Sequence, residues 1–122
     1  MLKKTLSIKI RRRIVVLPMG DILFMEKKKR QVVLHASDGE YLFYGRFYEL
    51  MDDLDARFAW CHRSYILNMD RIVSMGDCVI RLDDDTELVF GKEPYGRLRE
   101  TYDRYLDWKR SLRKAQRHRL GQ

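Results

Sequence analysis

A chain of 122 residues is the size of one domain, and with 45% apolar residues it can close a core, which excludes a disordered chain. Lysine and arginine outnumber aspartate and glutamate 25 to 18, and the net charge of +7 fits either a polyanionic partner or plain solubility charge. Cys61 and Cys78 fit no disulfide framework, and no apolar run approaches the roughly 20 residues of a membrane span, so a cytoplasmic protein without membrane insertion is expected.

The opening MLKKTLSIKIRRR is basic but lacks the apolar centre of a signal peptide. Within it TLSIKI alternates, with Leu6, Ile8 and Ile10 on one face of a strand. RRRIVVL follows as a second strand, and PMGD reads as a turn before ILFME. KKKR (Lys27 to Arg30) reads as a charged loop. QVVLHA and EYLFYG flank SDG, which is a hairpin signal. The period then changes. Phe47, Leu50, Met51, Leu54 and Phe58 follow helical spacing and predict one amphipathic helix, with Asp52, Asp53 and Asp55 on an outer face that should avoid DNA.

Strands resume with SYILN, RIVSM, CVIRLD and TELVFG, and Asp83 to Asp85 suit a hairpin turn. Pro94 suits the first turn of a helix whose apolar stripe is Tyr95, Leu98, Tyr102, Tyr105 and Leu106. The segment from Lys109 to Gln122 is strongly basic and is expected to fray. Many short strands with two helices predict a mostly β domain rather than βαβ units.

Enzyme chemistry finds little footing. A metal site needs three or four convergent ligands. Cys61 and His62 are adjacent and point to opposite strand faces, while His35 and His118 are isolated. His62 and Ser64 share a face, but no nucleophile elbow surrounds Ser64, and no glycine-rich phosphate loop occurs. No catalytic residue, metal or cofactor is expected.

Basic residues instead gather at strand ends: Lys27 to Arg30, His62 with Arg63, and Lys92 after Gly91. Lysine and arginine attract phosphates, and arginine adds a planar fork that reads guanine. Each site has a second reading. KKKR can be a solvated loop, and Arg63 can pack its stem on Tyr65. His62 can hydrogen-bond to orient its loop. Lys92 can be a solvated charge at a helix start, where the dipole mildly disfavours it. Ser64 suits a loop-bonding hydroxyl, and Asn68 suits a left-handed turn between YIL and RIV. The aromatics mostly fall at core positions. A single-stranded RNA binder or a protein-interaction module stand as alternatives to duplex DNA binding.

CHRSYILNMDRI, from Cys61 to Ile72, closely resembles the hallmark of the LytTR DNA-binding domain, the output module of many bacterial response regulators. The order of elements from GDILFMEKKKRQVVLHASDGEYLFYGRFYEL through RIVSM, VIRLDDDTELVFGK and PYGRLRETY is also similar to that family, covering about Leu6 to Tyr102. The resemblance implies an elongated stack of small antiparallel sheets with little helix, and with the helices read above the expected fold is that stack with a short middle helix and a C-terminal helix. It implies duplex-DNA binding by a transcription regulator, with loops entering successive major grooves.

Carried onto this chain, the contact residues are Lys29 or Arg30, His62 with Arg63, and Lys92. The resemblance further implies tandem DNA sites holding two copies, and a signalling or membrane-protein partner. The domain is expected over residues 1–108, with 109–122 as a basic extension. It is expected to be either a free-standing member or the output domain cut from a larger regulator.

Overall fold

The computed structural model describes residues 2–119. The first hairpin pairs β1 (Thr5–Ile10) with β2 (Arg13–Pro18). A short 3-10 turn, Met19–Asp21, leads into β3 (Ile22–Lys28), β4 (Gln31–Ala36) and β5 (Gly39–Tyr44). Helix α1 (Phe47–Asp53) precedes β6 (Phe58–His62) and β7 (Tyr65–Asn68). After a second 3-10 turn come β8 (Ile72–Gly76), β9 (Val79–Leu82), β10 (Glu87–Val89) and α2 (Lys92–Arg119). All pairings are antiparallel. They form sheets of two, five and three strands, the largest ordered β5-β4-β3-β7-β6. The mostly β expectation therefore holds.

The five-stranded sheet is the middle layer. On one face, Met25, Val32, Leu34, Phe43 and Ile66 pack against Leu6, Ile8 and Leu17 of the first hairpin and Phe47 and Leu50 of α1. On the other, Leu23, Phe24, Cys61 and Leu67 pack with Ile80, Leu82 and Leu88 of the three-stranded sheet and Leu98 and Tyr105 of α2. A strand buried on both faces needs no polar side, so ILFM is buried at all four positions instead of alternating. Each such side chain contributes roughly 1.5–3 kcal/mol on burial.

The structure departs from the sequence reading at several places. The expected loop KKKR is mostly strand: Lys27 and Lys28 pair with Val32 and Gln31, leaving only Lys29 and Arg30 in the turn. Ladder bonds are made by backbone, so exposed lysines at the end of β3 do not stop it.

The helix expected through Phe58 ends at Asp53, and Phe58 opens a strand that the sequence reading overlooked. The cause is Asp55. It is not on an outer face but buried, and its carboxylate accepts from the backbone N–H of Lys3 at 2.7 Å and from Arg57 Nε and Nη2 at 3.0 Å. That turn redirects the chain.

Asn68 is structural, but by another route than a left-handed turn. Its backbone is extended (φ −80°), and its buried amide donates to the Ile22 carbonyl at 2.7 Å while its oxygen accepts from Asp70 N–H at 3.0 Å.

The segment expected to fray after Lys109 is helix up to Arg119, with Leu120 to Gln122 outside the described residues. No glycine or proline interrupts 97–119, strong helix formers dominate, and Arg99–Asp103 and Arg110–Asp107 pair along its surface. Among the described residues no helix is long and apolar enough to cross a membrane.

Candidate nucleic-acid interface

Strand register brings two basic turns to one end of the central sheet. In the β3–β4 hairpin the last pair is Lys28 with Gln31, so Lys29 and Arg30 form the tip. In the β6–β7 hairpin His62 pairs with Tyr65, so Arg63 and Ser64 form the tip. Because Tyr65 lies opposite Glu26, the second tip stands beside the end of β3. The backbone N–H of Lys27 donates to the Ser64 carbonyl at 2.9 Å and fixes the two turns side by side. Lys29, Arg30 and Arg63 are all exposed.

His62 is half-buried and does two jobs in the turn. Its Nδ1 accepts from the backbone N–H of Ser64 at 3.0 Å, so that nitrogen carries no proton. The neutral ring then holds its proton on Nε2, which remains available as a donor. One face of the ring stacks on Phe90 at 5.8 Å and 19°, and Phe90 also meets Tyr65 at 5.6 Å. The loop-orienting role is therefore filled by Nδ1, while Nε2 makes no hydrogen bond among the described residues.

Phe90 places the third cation. It follows β10, is buried, and its N–H donates to the Cys78 carbonyl at 2.9 Å. Lys92, two residues on, is exposed as the first residue of α2. The Gly91 carbonyl caps that first turn by accepting from Tyr95 N–H at 3.0 Å. Sequence reasoning found Lys92 but missed Phe90 as its support. The signal was present as an aromatic at the end of a strand, but its partner His62 is distant in sequence.

Cys61, behind this end, is buried. Burial pushes its thiol up to about 12, and it donates weakly to the Tyr65 carbonyl at 3.7 Å. It is a core side chain with an inert thiol. Among the described residues no group of three or more His, Cys, Asp or Glu is arranged to hold a metal ion.

The family model of the LytTr DNA-binding domain matches residues 12–103. The chain belongs to the LytTR family. No curated protein matches it. Among solved structures, the LytTr DNA-binding domain of a protein described as a methyl-accepting/DNA response regulator from Bacillus cereus is similar, with a TM-score of 0.68 at 17% identity. The alignment covers 81% of this chain and 96% of that one. At such identity the likeness concerns the fold, and the LytTR fold accounts for the three small sheets seen here. The family match ends well before the end of α2, so the basic last turns of this LytTR chain lie outside it.

Proposed function

We propose that this LytTR domain is a cytoplasmic, sequence-specific regulator that binds duplex DNA with the end of its sheet stack. Lys29 or Arg30, Arg63 and Lys92 act as the contact groups, and His62 both holds the turn and offers Nε2. The observation that carries this reading is the convergence of three separate basic sites. One backbone hydrogen bond, Lys27 to Ser64, and one ring stack, His62 on Phe90, tie them together. Turns held by packed strands can enter a major groove with little loss of freedom, which favours base reading over loose attraction.

The DNA-binding unit runs to Trp108, since Tyr105 and Trp108 still pack against the body. The basic residues from 109 form an extension that, among the described residues, is tied to the body only at its start, where Lys109 reaches Asp70, and whose described part continues the helix. Two copies on tandem sites would lengthen the reading frame.

The test begins by selecting bound sites from random duplex DNA. Affinity of Arg63→Ala for the selected site is then measured by anisotropy at fixed salt. A loss of about 1–3 kcal/mol is expected for a base-contacting arginine. A loss below about 0.3 kcal/mol would remove Arg63 from base contact. Preference for single-stranded RNA in competition would overturn the duplex reading.

A further inference from the structure

We propose that the tip of the first hairpin is a fourth contact, a site for backbone phosphates flanking the bases read by the other turns. This rests on the duplex-DNA reading above and extends its footprint. Lys9, Arg11 and Arg13 line an open cleft of about 980 Å³ whose opposite wall includes Gln31 and Tyr44. Gln31 directly follows the Lys29–Arg30 tip and pairs with Tyr44 at the same end of the sheet. The cleft therefore runs along β5 and reaches the β3–β4 turn at one end, on the flank away from Arg63 and Lys92.

Two further observations agree with a contact role, and both are shared with the Lys29–Arg30 turn, whose cations are likewise exposed and, among the described residues, without a carboxylate partner. Arg11 and Lys29 both open their two-residue turns with φ +58°, a left-handed backbone that favours glycine or asparagine. Both hairpins keep a long cation there, against local preference, so the two tips present their charge in the same backbone setting. In addition, Arg57, Arg71, Arg81, Arg99 and Arg110 are each held by a carboxylate. Among the described residues, Lys9, Arg11, Arg12 and Arg13 have no such partner, and all four are exposed. The one carboxylate in the cleft wall, Glu40, is engaged by His35 Nδ1 at 3.3 Å.

The ligand class follows from the lining. Around an apolar floor of Ile10, Val15, Leu42 and Phe43, three cations, an amide and a phenol 75% exposed to solvent can all donate to phosphate oxygens at the rim. Position agrees. Strand β5 stands three strand spacings from β7, roughly 14 Å. With the strand order laid along the duplex axis, that distance is about four base pairs, which would set the cleft beside β5 outside the bases faced by Arg63.

The test compares the full chain with its Lys9→Gln/Arg11→Gln/Arg13→Gln variant on the selected duplex and on a scrambled one, across a salt series. Cooperative thermal unfolding checks that the variant folds, and if it does not, Arg13→Gln alone is read. The expected result is weakening by about tenfold or more on both duplexes alike, with a log–log salt slope shallower by about 2–3, or about 1 for the single change. Unchanged affinity and slope would overturn the proposal, and so would weakening confined to the selected duplex, which is the mark of base reading. Arg63→Ala is run in parallel. If it loses specificity while the triple variant binds like the parent, only the phosphate site falls. If the parent itself fails to bind duplex DNA, the functional reading falls first.

Discussion

The Nδ1 of His62 accepts a hydrogen bond from the backbone N–H of Ser64, 3.0 Å away and two residues on, so the side chain closes its own turn. Removing it leaves a turn N–H without its partner and Phe90 without its stacking ring. His62→Ala should cost about 1–2 kcal/mol of stability in urea unfolding, the sum of a hydrogen bond and an aromatic contact. His62→Asn, whose side-chain oxygen can accept the same bond, should recover part of that stability. If DNA affinity recovers in step, His62 positions Arg63; if it stays low, Nε2 touches DNA directly.

The β3–β4 tip sets stability against binding. Lys29 holds φ +58°, where a β-carbon is unfavourable. Lys29→Gly should raise stability by about 0.5–1 kcal/mol in the same unfolding assay while weakening DNA binding through the lost cation. A variant both less stable and fully active would contradict the role given to this turn.

Asp55 makes an acid-sensitive joint between the N-terminal segment and the start of β6. Burial raises its pKa, but the hydrogen bonds from the Arg57 side chain and from the N–H groups of Lys3 and Arg57 outweigh this. The carboxyl therefore lies below the ordinary carboxylate range. A group depressed in the folded state contributes its full stability above its unfolded value, and that contribution is lost as pH falls through the folded value. Thermal unfolding from pH 7 downward should thus show a decline beginning around pH 4 and deepening below it. In Asp55→Asn, part of that decline should be gone, and the protein should already be weaker at pH 7 by about 1.5–3 kcal/mol.

The parts of this fold that were legible in the sequence are those set by local chemistry. Alternation at Leu6, Ile8 and Ile10 marked a half-buried strand, and the three aspartates 83–85 marked a turn in which Asp85 indeed takes φ +70°. The cationic turns were legible too, because charge at a strand end survives any error in register. What failed depended on distant partners. FAWCH was hidden as strand because Phe58 continued the helical spacing, and the Lys3–Asp55–Arg57 contacts, 54 residues apart at their widest, end that helix. The convergence of the tips was equally hidden, since it rests on β7 inserting next to β3 rather than on neighbours in sequence.

Tyr105 anchors the far half of α2 to the body. Its hydroxyl donates to Asp70 at 2.7 Å, and Lys109, one turn on, meets the same carboxylate oxygen at 2.9 Å and the Tyr105 ring at 5.4 Å. Burial, then the adjacent Asp70, push the phenol above its usual range, so it remains a donor throughout the working pH range. Trp108 lies against the Tyr105 ring at 5.8 Å and reports on the same contact by fluorescence. Tyr105→Phe keeps the ring but removes the donor, and should cost about 1–2 kcal/mol with a shift in Trp108 emission. Lys92 sits at the opposite end of the helix, where Phe90 and the Gly91 carbonyl hold the first turn independently of Asp70. Tyr105→Phe should therefore loosen the last turns, seen as faster amide exchange after residue 105, with affinity for a selected duplex unchanged. A loss of DNA sequence preference in this variant would mean that the start of α2 is held by its far end, contrary to this division.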